Sequence, residues 1–323
     1  MNDFLKKNYD VGLPGNIERG PAMSATAMSQ AEGWDQKDLE MKTVWDMGAL
    51  GQRCVVMVPD TGVYNHVDIP APFDTYNATP EGATDRNNHS TWICGSIGAV
   101  NNDIGYRGYA SESHLVPIKV LRDSGSGSGA DIEKAMRWAL NWWTTHPRRP
   151  ARLGGTGEFL TCFYSMSYGG GGYSASEFRL FQDMIKAGIV PCASSGNESR
   201  SAPSHPAAYQ GVRKHGAYGQ GRKQASFTNY GPWTDAVGPG VNVPSTVNQR
   251  EWAAFSGTSM SNPIIVATMA NYVSAHPNDT WVHDTYGLAE VMAEHMQNLP
   301  GNWDGRGVFL PAKAITRFKH FIF

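Results

Sequence analysis

Ser259 lies in Phe255-Ser256-Gly257-Thr258-Ser259-Met260-Ser261-Asn262-Pro263, between small residues and just ahead of a proline and an apolar run. That places its hydroxyl at the start of a helix, a position suited to a nucleophile. A serine hydroxyl is inert by itself and needs a base, an acid to orient that base and a donor for the oxyanion. Three residues elsewhere can fill those needs. Asp60 ends the run Val55-Val56-Met57-Val58-Pro59-Asp60, His89 opens His89-Ser90-Thr91-Trp92-Ile93-Cys94-Gly95, and Asn197 follows Ala193-Ser194-Ser195-Gly196. Taken singly, Asp60 reads as a turn-former or cap, His89 as a structural histidine and Asn197 as a turn asparagine. Taken together they form an acyl-transfer set in the chain order Asp, His, Ser, one of three orders that build the same triad geometry.

The elements around these residues give each a reason for its place. Short apolar runs at 54–58, 115–121, 160–166 and 189–193 read as buried strands. Helix-like segments at 91–100, 130–144, 175–187, 263–275 and 285–296 alternate with them. Such alternation predicts an α/β fold: a three-layer arrangement with a mostly parallel β-sheet and helices on both faces. Ligands in such sheets bind beyond the carboxyl ends of the strands, where Asp60 and Asn197 fall. Residues 1–33 are rich in Gly, Pro, Ser and Ala without periodicity and read as an extension, over the surface or disordered, ahead of a domain at 34–323.

With those four segments in hand, the chain resembles the subtilisin-like serine proteases. Asp60-Thr61-Gly62 is similar to that family's aspartate motif, and His89-Ser90-Thr91 with Gly95 to its histidine motif. Ser194-Ser195-Gly196-Asn197-Glu198 is similar to its oxyanion segment, and Gly257-Thr258-Ser259-Met260-Ser261-Asn262-Pro263 to its serine motif. Asn101-Asn102-Asp103-Ile104-Gly105, Pro117-Ile118-Lys119-Val120-Leu121 and Ser226-Phe227-Thr228-Asn229-Tyr230-Gly231-Pro232 agree as well. There are departures: Ser90 stands where the family has glycine, Trp92 where it has a second histidine, and Ile264-Ile265-Val266 follow Pro263.

The resemblance implies a serine endopeptidase. Ser259 is its nucleophile, His89 its base, Asp60 the orienting acid and Asn197 an oxyanion donor. A transpeptidase using the same acyl-enzyme and a non-catalytic binding protein are the other classes weighed. It implies a protein or peptide substrate bound in extended form between Gly125-Ser126-Gly127 and Ser167-Tyr168-Gly169. A first specificity pocket bounded by Tyr168-Gly169-Gly170 and Ala193-Ser194-Ser195 then favours a medium or large apolar residue. It implies a structural calcium site at Asp68, Val100, Asn102, Ile104 and Tyr106, whose residues also read as a well-capped loop without metal. Leu13-Pro14-Gly15 reads either as a segment covering the cleft, as in intracellular members of the family, or as part of a loose tail.

Composition adds exclusions. With 27 basic and 29 acidic residues, the chain has no global attraction for nucleic acid or an anionic membrane. No apolar run approaches the roughly 20 residues of a membrane span. The polar N-terminus does not read as a signal peptide. Cys54, Cys94, Cys162 and Cys192 sit in or beside apolar runs and read as free thiols. Both features set the expectation of a cytoplasmic protein, with a secreted mature form as the alternative. Oligomeric state leaves no trace in the sequence.

Overall fold

In the computed structural model, which describes residues 10–13, 17–24, 30–299 and 307–318, three short strands come first. These are β1 (Asp10–Gly12), β2 (Glu18–Arg19) and β3 (Met23–Ser24), followed by helices α1 (Trp34–Asp38) and α2 (Met41–Asp46). The body then runs through β4 (Cys54–Asp60), β5 (Tyr76–Asn77), α3 (His89–Gly98), β6 (His114–Lys119), β7 (Ser126–Ser128) and α4 (Gly129–Thr145). Next come β8 (Thr161–Met166), α5 (Ala175–Lys186), β9 (Ile189–Ser194), β10 (Arg213–Gly219), β11 (Lys223–Gln224) and β12 (Ala236–Pro239). The hairpin β13 (Val243–Val247) and β14 (Glu251–Ser256) leads into α6 (Thr258–Ala275) and α7 (Thr285–Glu294). The chain closes with β15 (Met296–Asn298), β16 (Gly307–Phe309) and α8 (Pro311–Phe318).

The central sheet has the order β15-β16-β12-β10-β9-β8-β4-β6-β5, with β11 beside β10. From β16 to β5 every pairing along that path is parallel. Side chains of a strand alternate between faces, and β4 shows the consequence. Cys54, Val56 and Val58 join one hydrophobic core, with Trp92 and Ile93 of α3 and the apolar side chains of α6. Val55 and Met57 join the other, with α4 and α5. Two cores on one buried sheet are the three-layer α/β architecture expected from the alternating runs.

Local sequence sets the helices on each face. Ser128 accepts a hydrogen bond from the Asp131 N–H and starts α4, whose Ile132, Ala135, Met136, Ala139 and Trp143 form one buried stripe. Ser174 likewise caps α5 by accepting from the Glu177 N–H. All ten residues of α3 are buried, and α6 is buried from Thr258 to Val273, so neither has a polar face to show an amphipathic period.

Two points differ from expectation. The helix expected from Pro263 begins at Thr258, because a proline was read as the first helical residue whereas here it lies inside the helix. Strands β10 and β12 went unread: β10 opens on Arg213-Lys214-His215 and holds two glycines, and β12 is Ala236-Val237-Gly238-Pro239, so neither presents an apolar run. In the described parts of the extension, over the surface of the body, β1 pairs antiparallel with β7, and β2 and β3 pair with β14. Pairings of two or three residues carry too little pattern to be read from sequence.

Candidate active site

Strand β4 delivers Asp60 at its end, and α3 begins with His89. Asp60 Oδ1 lies 2.8 Å from His89 Nδ1, and both side chains are fully buried. The Thr61 N–H donates to the same carboxylate oxygen at 2.8 Å. A carboxylate accepts here, so Nδ1 carries the ring proton and Nε2 is left as the acceptor. Nε2 is buried and has no hydrogen-bond partner among the described residues. The start of α3 is held by Asp85, which the sequence reading missed. Its carboxylate accepts from the backbone of Asn87 (2.8 Å), Asn88 (2.9 Å) and Thr91 (2.8 Å) and from the Thr91 hydroxyl at 2.7 Å. An aspartate four residues ahead of the histidine does not have the spacing of a cap, a position that Asn88 holds here. Trp92 donates to the Ala253 carbonyl at 3.1 Å and stacks on Phe255, tying α3 to β14.

Ser259 sits in the first turn of α6, where backbone N–H groups have no intrahelical acceptor. Pro263 has no N–H to give the Ser259 carbonyl, four residues back. The Ser167 hydroxyl supplies that bond at 3.0 Å, and the Ser259 hydroxyl donates in return to the Ser167 carbonyl at 3.0 Å. Below them Asn262 donates to Ser165 Oγ (3.1 Å) and the Met166 carbonyl (3.2 Å) and takes a hydrogen bond from His215 at 2.8 Å. Burial pushes His215 down to about 4, so it is neutral and donates from one nitrogen. Helix α3, with His89 at its head, packs against α6.

Asn197 follows β9. Its Oδ1 accepts from the Thr258 N–H at 2.9 Å and from the Thr258 hydroxyl at 2.7 Å. A backbone N–H can only donate, so the amide orientation is fixed and Nδ2 points away from Thr258. Nδ2 is buried without a partner among the described residues. A Cβ added to Gly257 would stand 3.3 Å from that nitrogen, a tight contact, and 3.5 Å from Ile17, an ordinary one.

Around this centre runs a cleft with two backbone edges, Gly125-Ser126-Gly127 and Ser167-Tyr168-Gly169. Strand β1 of the same chain lies between them. Val11 faces Gly127 in register, the Leu13 N–H donates to the Gly125 carbonyl at 3.0 Å, and Gly12 and Gly169 exchange hydrogen bonds of 3.1 and 3.0 Å. Pro14 and Gly15 of the Leu13-Pro14-Gly15 segment lie outside the described residues. On the far side β2 pairs with β14, where Arg19 reaches Asn87 and lies over the Phe255 ring. Tyr168 meets the cleft through its backbone only, since its side chain is fully buried in the core beneath. Ala193 and Ser194 end β9 beside the Asn197 turn, both buried.

A second cluster gathers the expected calcium residues. The Gln30 amide nitrogen lies 2.9 Å from the Val100 carbonyl, 3.3 Å from Asn102 Oδ1 and 3.4 Å from the Ile104 carbonyl. Asp68 accepts from the Asn102 amide at 2.8 Å and takes a backbone hydrogen bond from Tyr106. The contact of Tyr106 is therefore made to the carboxylate by its N–H. Burial raises the Asp68 carboxyl to about 6, a cost that a cation would relieve. Gln30 went unread because it lies in the segment taken for an extension. Among the described residues no three His, Cys, Asp or Glu side chains converge, so any ion here would rest largely on amide and backbone oxygens.

Comparisons with known proteins show the family. A family model described as the subtilase family matches residues 51–302. An alkaline protease of Alkalihalobacillus alcalophilus is 31% identical over 270 residues, covering 81% of this chain and 67% of the relative. Subtilisin Savinase of Lederbergia lenta is 31% identical over 251 residues, 77% of this chain and 87% of its own. A thermostable alkaline protease of Halalkalibacterium halodurans is 30% identical over 266 residues, 82% and 69% of the two chains. These relatives correct the expectation of a cytoplasmic protein, because alkaline proteases and subtilisins point to secretion. The free cysteines were a poor guide: all four are buried, and a buried thiol stays inert in either compartment. Among the described residues no helix is long and apolar enough to cross a membrane. The chain belongs to the subtilase family and is a serine endopeptidase acting on peptide substrates.

Proposed function

We propose that Ser259 is the nucleophile of this peptidase, with His89 as general base and acid, Asp60 as its orienting carboxylate and Asn197 as oxyanion donor. The Ser259 hydroxyl leaves the Ser167 carbonyl, gives its proton to His89 Nε2 and attacks the peptide carbonyl. His89 then protonates the leaving amine, and water repeats the sequence on the acyl-enzyme. Asp60 holds the Nδ1–H tautomer and stabilises the imidazolium. Asn197 Nδ2 and the Ser259 N–H bind the developing oxyanion. What carries this reading is the pair of buried, unpartnered atoms His89 Nε2 and Asn197 Nδ2. Buried polar atoms are rarely left unbonded, and a base and an oxyanion donor must be free until substrate arrives.

The substrate strand is proposed to run between 125–127 and 167–169, paired by backbone and therefore tolerant of side-chain sequence. The small lining at Gly169, Gly170, Ala193 and Ser194 leaves room for a large apolar residue before the scissile bond. Strand β1 takes that same place, so the extension competes with substrate. Calcium is proposed at Asp68, Val100, Asn102, Ile104 and Gln30, an oxygen set of the kind that ion prefers once the Gln30 amide, whose nitrogen faces the carbonyls here, turns to present its oxygen, with Tyr106 bracing Asp68. Its contribution is structural: it fixes the 100–106 loop and anchors the segment at Gln30.

Three outcomes follow. Asn197→Ala lowers kcat on a chromogenic peptide on the order of 10²–10³, a magnitude already known for this donor in the family, with little change in KM. A kcat within threefold of wild type contradicts the assignment. Deleting residues 1–24, which keeps Gln30, raises kcat/KM at least about fivefold by removing the competing strand. An unchanged value removes the inhibitory role. Saturating calcium raises Tm by about 5 °C or more over chelator-treated protein, and Asp68→Ala abolishes the difference. Equal Tm values for wild type with calcium and with chelator argue against the site.

A further inference from the structure

The position taken by Val11 opens onto a small pocket with an acidic wall. Ile132 and Glu133 of α4, Ser174 and Glu177 at the start of α5, and His205 line it. With Val11 in place about 20 Å³ remain, room for roughly one water molecule. Glu177 accepts from the Tyr209 hydroxyl at 2.7 Å. Glu133 accepts from the hydroxyls of Ser174 and Ser176, and Arg137, on the exposed face of α4, reaches its other oxygen at 3.5 Å. Burial raises the Glu177 carboxyl to about 7 and the charge of Glu133 adds to the rise; the Tyr209 hydroxyl opposes it, and no cation contributes. His205 is lowered by burial and brings no charge at alkaline pH.

We propose that this pocket selects a lysine or arginine side chain of the substrate at the position Val11 occupies, with Glu177 and Glu133 receiving its charge. The inference rests on the reading that β1 lies where substrate lies. Gly12 and Gly169 form an antiparallel pair. A substrate in the same register sets the residue two further on against Ser167, the hydrogen-bond partner of Ser259. That residue acylates Ser259, so the Val11 position is the fourth before the scissile bond. A lysine or arginine stem lies along Ile132 in place of the valine, and its head displaces the remaining space toward the carboxylates. In a half-enclosed site this attraction is screened less than on the surface. Glu177 lies in the first turn of α5, where the helix dipole favours its ionised form. Valine leaves Glu177 without a cation and Glu133 with only the exposed Arg137, which makes the chain's own strand a weak occupant that a basic substrate displaces.

The test compares two peptides that differ only by Lys or Leu at the fourth residue before the scissile bond, at about pH 8.5, above the raised carboxyl. A competing extension scales both rates alike, so the ratio of kcat/KM reads the pocket alone. Wild type should favour the lysine peptide about tenfold, the effect of a charge-assisted contact. Glu177→Gln and Glu133→Gln should each bring the ratio toward unity. A wild-type ratio near one, or one unchanged by Glu177→Gln while both peptides are cleaved, overturns the subsite and leaves the peptidase standing. Cleavage of neither peptide removes the Ser259 reading and the subsite with it.

Discussion

The reciprocal pair of hydrogen bonds between Ser259 and Ser167 is the contact on which the rest of the site depends. It exists because Pro263 cannot donate to the Ser259 carbonyl, which would otherwise be a buried acceptor without a partner. Supplying that partner from the 167–169 edge fixes the head of α6 against one wall of the cleft. On the proposed roles, the nucleophile and the substrate-pairing edge are therefore positioned by one interaction. Asn262 extends the same logic one turn on, clasping Ser165 and Met166 of β8 from α6.

The other half of the site hangs on α3. A fully buried helix has no solvent to satisfy its first N–H groups; Asp85 accepts that of Thr91 and the Thr61 hydroxyl that of Ser90, while Asp85 also holds the Asn87 and Asn88 N–H groups just ahead. Its consequence is the fixed approach of His89 to Asp60. Trp92 stands where the family has a second histidine. It fills the space behind α3 and bonds to β14, so the departure is a packing change that leaves the Asp60–His89 contact in place. The same sheet whose alternating side chains build two cores thus ends in the residues proposed to face substrate.

The sequence made the centre legible and left its supports obscure. Asp60 and Asn197 each follow an apolar strand run, and His89 and Ser259 each open a helix, so local pattern pointed to all four. Gln30 and Glu177 are individually ordinary; their roles come from contacts across 70 and 44 positions (Val100 for Gln30, Glu133 for Glu177) that no local window joins, whereas Asp85 lies only six residues from Thr91 but not at the position of a helix cap. Strands β10 and β12 were hidden by glycines and basic residues, although the sheet buries them. The pairing of β1 with β7 could be imagined from Leu13-Pro14-Gly15, but two- and three-residue pairings have no periodicity to read. The compartment was misread because a buried thiol reports its packing, not its surroundings.

The central claim is that Ser259 is made nucleophilic by buried His89 and Asp60. Labelling with a fluorophosphonate probe tests it most directly, followed on the full chain by in-gel fluorescence and peptide mass mapping. Wild type should label on Ser259 alone, Ser259→Ala should not label, and His89→Ala should label at least about a hundredfold more slowly. Label on another serine, or undiminished labelling in either variant, would contradict the account.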